Sequence, residues 1–218
     1  MDLKVNNNSV IVFDLDDTLY NELDFLKSAY KEIVKKIDNK NFKTNYSVIF
    51  SLYRNKKNVF DYISKTFDFD KEKLIEIYRN HFPDLSLNKG VIDLFEEIKK
   101  RGGRIALITD GRSVTQRNKI KALKIEKYFD YISISEEIGY EKPLSVPFKK
   151  VENIFKSKDY VYIADNIKKD FIMPNELGWN SIELIDNGKN IHSNSFKYID
   201  TLYRAKNSVF NLLEIKII

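Results

Sequence analysis

Short unbroken apolar runs that alternate with segments of helical period constrain this chain more than any other feature. Residues 10–13, 105–108, 131–134 and 160–164 are continuous or nearly continuous apolar runs rich in β-branched side chains. A fifth run, 181–185, follows the turn-like Leu177-Gly178-Trp179-Asn180. Runs of this kind are strands covered on both faces, as in a parallel sheet. Between them, residues 91–100 place Val91, Leu94, Phe95 and Ile98 on one helical face and stop at Gly102-Gly103. Residues 113–124 and 147–155 follow the same period. The expected class is therefore α/β, a doubly wound parallel sheet.

One interval breaks the alternation. From residue 20 to 88 no strand run compares with the others, and helices are expected at 22–37, 46–55, 58–67 and 71–82. Pro83 and the following Leu-Ser-Leu-Asn mark the return to the sheet. A helical block at that point is most simply a small insert, residues 20–88, capping the carboxyl end of the first strand. The core is then built from 1–19 and 89–218. In open α/β sheets that edge is where ligands bind. With 218 residues the chain suits one buried core with such an insert. The final stretch, SVFNLLEIKII, is expected to be a helix closing the core, with a strand as the alternative.

Composition narrows the chemistry. The chain has no cysteine and only His81 and His192 as histidines, which excludes disulfides and thiolate metal sites. A zinc site built on histidine, or a serine–histidine hydrolase, is disfavoured on the same count. The net charge of +5 comes from scattered lysines, with no arginine-rich stripe interleaved with aromatics, so nucleic acid is not an expected partner. No run approaches the roughly 20 apolar residues that span a bilayer. The start, MDLKVNNNSVIVFD, lacks the apolar core of a secretory signal. A cytoplasmic protein with no membrane partner is expected, and monomer and homodimer both stay open.

Carboxylates, hydroxyls and lysines must then carry any reaction, and they gather beyond the ends of the expected strands. The first strand runs into Asp14-Leu15-Asp16-Asp17-Thr18. Acids at the end of a buried strand are costly without a cation or hydrogen bonds. In an extended chain Asp14 and Asp16 point to one side. The alternative is an Asx turn capping the next helix, a part that Asp17 or Thr18 can play. The second strand ends in Thr109-Asp110-Gly111 before a helix, a hydroxyl and glycine turn suited to an anion. Lys142 precedes Pro143, and by itself reads equally as a solvated loop lysine. Asp165 and Asp170 follow the fourth run, which suits a divalent cation with oxygen ligands.

Taken together, FDLDDTLY, LITDG, YEKP and IADNIKKD resemble, in order, the four signature motifs of the haloacid dehalogenase (HAD) superfamily of phosphohydrolases. The resemblance spans residues 10–185 and implies a Rossmann-like core, dependence on Mg²⁺ and an aspartyl-phosphate intermediate. Carried over by position, it implies Asp14 as nucleophile and Asp16 as general acid/base. Thr109 would bond the transferring phosphoryl group, helped by backbone N–H groups near Leu15 and Asp110. Lys142 would offset charge. Asp165 would ligate the metal with the Asp14 carboxylate and the Asp16 carbonyl, and Asp170 would hold Lys142 or a metal-bound water. Ala164 stands where many relatives have glycine, Asp110 where asparagine is common, and Leu144 where a polar residue is usual.

The resemblance also sorts the reaction. Dehalogenases of the family lack an acid two residues after the nucleophile, and P-type ATPases carry threonine there, so Asp16 implies a phosphatase or a phosphomutase. The short interval from Thr109 to Lys142 leaves no room for a large cap, so 20–88 resembles the first-position helical cap that admits small phosphorylated metabolites. The expectation is a phosphatase acting on sugar phosphates or nucleoside monophosphates. Its alternatives are a phosphomutase using the same residues and a catalytically idle binding module on this fold.

Overall fold

A computed structural model describes residues 1–191 and 204–218. The element order is β1 (Asp2–Leu3), β2 (Ser9–Phe13), α1 (Glu22–Asp38), α2 (Phe42–Arg54), α3 (Val59–Phe67), α4 (Lys71–Asn80), α5 (Val91–Lys100), β3 (Arg104–Thr109) and α6 (Ser113–Ala122). It continues with β4 (Tyr131–Ile134), α7 (Ser135–Ile138), α8 (Ser145–Phe155), β5 (Asp159–Ala164), α9 (Ile172–Glu176), β6 (Asn180–Leu184), β7 (Asn207–Val209) and β8 (Lys216–Ile217).

The described residues form a parallel six-stranded sheet in the order β4-β3-β2-β5-β6-β7. Strand β2 lies at its centre because every residue in it is buried and both faces are covered. Its alternating side chains divide between two apolar layers. Ile11 and Phe13 join Ile105, Leu107, Val161 and Ile163 under α5, with Leu94, Phe95 and Ile98. Val10 and Val12 join Ala106, Ile108 and Tyr162 under α8, with Phe148, Val151 and Trp179. From β2 the chain winds to one side through β3 and β4, then returns beyond β2 to β5, β6 and β7. That reversal leaves a crevice at the carboxyl ends of β2, β3 and β5. Phe13 is in register with both Leu107 and Ile163, so the three strands end within two residues of one another.

The helices α1–α4 sit between β2 and α5 and have an apolar cluster of their own, including Ile33, Val34, Ile49, Ile63 and Leu74. Their ends follow local chemistry. The Asn58 side chain accepts the Asp61 N–H at 3.1 Å and Asp70 accepts that of Glu72 at 3.0 Å, two ordinary N-caps. Two connections join this block to the sheet, and they are stitched together. Asn88 donates its N–H to the Leu19 carbonyl at 2.8 Å and its side-chain amide to that of Thr18 at 2.9 Å. His81 is buried between Ser28, whose Oγ lies 2.7 Å from Nε2, and the Glu32 carboxylate.

The sequence expectation for the last residues is corrected here. SVFNLLEIKII is not a helix. It forms β7, a turn of 3₁₀-helix at Leu212–Glu214 and β8. Its apolar residues are used by pairing and packing partners far away in sequence: β7 extends the sheet beside β6, and β8 pairs in parallel with β1. Leu212 and Ile215 tuck into the layer under α5. Tertiary pairing of this kind overrides local pattern. No helix among the described residues is long and apolar enough to cross a membrane.

Phe95 ties α5 to the strand that carries the first motif. It is fully buried, packs edge-on to Phe13 at 5.1 Å between ring centres, and also touches Tyr128 and Phe129. Phe95→Ala is expected to cost about 3–5 kcal/mol of stability, read as a lowered urea midpoint with an unchanged slope.

Candidate active site

The crevice gathers residues from four loops. Asp14 follows β2 directly, and its N–H still bonds the Ile163 carbonyl at 3.0 Å, so its carboxylate is held at the strand's end. Thr109 and Asp110 end β3. Lys142 comes from the turn between α7 and α8 and is joined to Pro143 by a cis peptide bond. Asp165 and Asp170 lie in the loop after β5.

Lys142 organises the first cluster. Its side chain is wholly buried, with Nζ 2.7 Å from Asp14 Oδ1, 2.8 Å from Asp170 Oδ1 and 3.1 Å from the Tyr162 hydroxyl. Burial opposes the ammonium, but Asp14 and Asp170 more than offset it and hold Lys142 well above the ordinary lysine range. Asp170 is locked a second time, because its other oxygen accepts the Asn166 N–H at 2.9 Å. Oxygens of Asp14, Asp165 and Asp170 all lie within 4.8 Å of one another, and all three residues are buried.

Three clustered carboxylates against one ammonium leave an excess of negative charge. Burial pushes Asp14 up to about 7 against the pull of Lys142. Burial, with Asp170, Asp14 and Asp17 nearby, pushes Asp165 well above the usual carboxylate range. Oxygen donors in a buried, electron-rich cluster fit a hard divalent cation. Thr18 Oγ1 donates to Asp165 at 3.1 Å and Asn190 Nδ2 to its other oxygen at 2.6 Å, which fixes that carboxylate.

Asp16 belongs to a second cluster. Its carboxylate does not join that of Asp14 on shared partners; it takes Lys119 Nζ at 2.7 Å, Gln116 Nε2 at 2.8 Å and the Tyr20 hydroxyl. Burial alone would raise Asp16, yet Lys119, aided by hydrogen bonds from Lys119, Tyr20 and Gln116, holds it below the usual range. Gln116 also reaches Thr109 Oγ1 at 2.5 Å, so one amide spans the acid and the hydroxyl. Asp17 stands apart with a left-handed backbone (φ 55°), accepting the N–H groups of Glu22 at 2.8 Å and Ile191 at 3.0 Å. This is the Asx-type role the sequence left open for it. Leu15 is fully buried between the two acids. Asp110 accepts the Lys142 N–H at 3.1 Å and pairs with Lys169 at 2.6 Å.

A cavity of about 470 Å³ opens beside Asp16. The core lines it with Asp110, Gln116 and Lys119, and the helical block with Phe60, Tyr78 and Arg79. None of Gln116, Lys119, Phe60, Tyr78 or Arg79 stands out in the sequence. The signal for two of them was present: Thr115, Gln116 and Lys119 recur at helical spacing, and all three are buried although polar. In sequence such a stripe reads as solvated.

The arrangement puts one carboxylate beside a buried ammonium, a separate carboxylate at a cavity, and three carboxylates close enough together to hold a cation. That inventory suits transfer of a phosphoryl group. Comparison with known proteins agrees. A glyceraldehyde 3-phosphate phosphatase of Methanocaldococcus jannaschii is 30% identical over 191 residues, covering 80% of this chain and 84% of that one. Among solved structures, a HAD phosphatase from Thermococcus onnurineus superposes with a TM-score of 0.63 at 19% identity, covering 94% of this chain and 95% of that one. YfnB from Bacillus subtilis, solved bound to magnesium, gives 0.64 at 17% identity over 96% of this chain and 97% of its own. At that identity the two structures speak for the fold alone. The model of the haloacid dehalogenase-like hydrolases matches residues 11–183, from the middle of β2 into β6, and the chain belongs to that family.

Proposed function

We propose that this chain is a Mg²⁺-dependent phosphatase of small phosphomonoesters, working through an aspartyl-phosphate on Asp14. The observation that carries the reading is the buried cluster of Asp14, Asp165 and Asp170 around Lys142, at the end of the central strand. The Asp14 and Asp165 carboxylates, with the Asp16 carbonyl, would hold the cation. Bound there, Mg²⁺ would withdraw charge from the phosphoryl oxygens and screen Asp14 from them.

The chain's own groups account for the rest. An Asp14 oxygen attacks phosphorus and the ester P–O bond breaks, with the leaving oxygen taking a proton from Asp16. Water then attacks the acyl phosphate and gives a proton back to Asp16, which frees phosphate and restores Asp14. Thr109 and the backbone N–H groups of Leu15 and Asp110 hold the phosphoryl oxygens. Lys142 offsets charge on the phosphoryl group and on Asp14, and Asp170 keeps Lys142 aimed.

Residues 20–88 act as the cap over a core of 1–19 and 89–218, and the cavity between them admits the alcohol part of the ester. Its modest volume and mixed wall, in which Phe25, Phe60, Ile75 and Tyr78 stand beside the cations Lys71, Arg79, Arg112 and Lys119, suit a small phosphorylated metabolite. The named activity of the Methanocaldococcus relative favours a sugar phosphate over a nucleoside monophosphate.

Phosphate release from a panel of sugar phosphates and nucleoside monophosphates tests the reaction. Release is expected from a narrow subset, only with Mg²⁺, and to stop on chelation; an isomerised sugar phosphate in place of free phosphate would identify a mutase instead. Asp14→Asn is expected to fold normally and to lose activity about a thousandfold or more, and full activity in that variant would sink the mechanism. Asp16→Ala is expected to lower kcat by about 10²- to 10⁴-fold. Its deficit should be smallest for substrates whose leaving group needs no proton, such as p-nitrophenyl phosphate.

A further inference from the structure

Asp110 places a carboxylate one residue beyond Thr109, beside the position that receives an anion. An added negative charge there is unfavourable unless something cancels it. The structure supplies the partner. Asp110 Oδ2 pairs with Lys169 Nζ at 2.6 Å, with the Asp110 side chain mostly buried and that of Lys169 about a third exposed. Oδ1 accepts the backbone N–H of Lys142 at 3.1 Å.

These contacts close a ring. Asp110 holds the main chain of Lys142, the Lys142 ammonium reaches Asp170 at 2.8 Å, Asp170 follows Lys169 in sequence, and Lys169 returns to Asp110. The ring links the loop after β3, the turn before α8 and the loop after β5. From within it Lys142 points at Asp14, 2.7 Å away. Burial works against the Lys169 ammonium, as does the nearby Lys142. Asp110, Asp170 and Asp14 outweigh both and hold it above the ordinary lysine range, so Lys169 feels the nucleophile's surroundings.

We propose that the Asp110–Lys169 pair is a positioning clasp of the phosphoryl pocket. Asp110 aims Lys142 at Asp14 through the backbone of Lys142, and Lys169 cancels the charge with which Asp110 would repel an incoming phosphate. The inference rests on the phosphoryl-pocket reading above. A passive surface ion pair would contribute little to either, and the two ideas differ in the sign of a double substitution.

The test is binding of inorganic phosphate in saturating Mg²⁺, measured by calorimetry on the full chain, with thermal melts as the control for folding. Lys169→Met leaves Asp110 uncompensated, and its phosphate affinity is expected to fall about tenfold. Asp110→Asn keeps an acceptor oxygen for the Lys142 N–H and leaves Lys169 as an uncompensated cation, so its phosphate affinity is expected to rise by about threefold or more. The pair Asp110→Asn with Lys169→Met should recover to within about threefold of the parent, because no carboxylate is left to repel the anion. Lys169→Arg keeps the charge and should bind as the parent does, which preserves the test if Lys169→Met does not fold.

Unchanged affinity in Lys169→Met, or a double variant as weak as Lys169→Met, overturns the clasp. Failure of the parent protein to bind phosphate overturns the clasp and the pocket together. Turnover of p-nitrophenyl phosphate is scored separately. Its absence from the parent, with the binding pattern intact, removes the phosphatase reading and leaves the clasp standing.

Discussion

The Lys142 ammonium, buried between Asp14 and Asp170, is the contact on which the rest of the site depends. At that depth an unpaired carboxylate or ammonium would be strongly disfavoured, and removing one partner would strand the others. The cluster persists because three strands run in register close to their carboxyl ends. Phe13 is in register with Leu107 and Ile163, so Asp14 emerges beside the loops that carry Thr109 and Asp165. A slip of one residue in either pairing would turn Asp14 to the opposite face of the sheet and bury its carboxylate in an apolar layer. The packing of Phe13 against Phe95 and of Tyr162 against Phe148 is therefore also the means by which the acids are placed.

Much of this was legible in the sequence, for a physical reason. Strands buried on both faces must be apolar throughout, so the charged residues that end them are conspicuous: Asp14 after residues 10–13, Thr109 and Asp110 after 105–108, Asp165 after 160–164. The helix Val91–Lys100 was readable to the residue because its apolar stripe and its terminating glycines agree. Less was readable where polar groups are buried by partners distant in sequence. Gln116 and Lys119 resemble ordinary surface positions of a helix, and only the approach of Asp16 and Tyr20 turns them inward. The C-terminal residues failed in the opposite way. Their apolar spacing tolerates a helix, and only β1 and β6, both far upstream, make strands of them.

The helical block meets the core through the same residues that surround the acid. Tyr20, at the block's entry, donates its hydroxyl to Asp16, and Lys119 lies over the rings of Tyr20 and Phe25 at 5.9 and 4.6 Å. Thr115 Oγ1 donates to the Arg79 carbonyl at 2.8 Å, which joins α6 to the end of α4. The position of the block and the surroundings of Asp16 are thus mechanically linked. A shift of α1 that withdrew Tyr20 would remove one donor from Asp16 and widen the cavity beside it.

Separation of the two clusters gives the two acids different surroundings, which acid–base chemistry on adjacent carboxylates requires. Asp14 lies in an electron-rich pocket with a surplus of carboxylates; Asp16 lies among three donors, outside the acidic cluster found among the described residues. In the protein alone the order is the reverse of what attack and proton donation need, with Asp14 pushed up and Asp16 held down. In the proposed reaction the charges of the reactants would act in the corrective sense. Positive charge beside Asp14 favours its ionised form, and a phosphate dianion facing Asp16 favours the protonated one. In the proposed reaction competence would then follow from assembly, the pocket being unbalanced on its own and balanced by what it binds. This is why Lys142 and Lys119 are paired with different acids and neither ammonium is shared between the clusters.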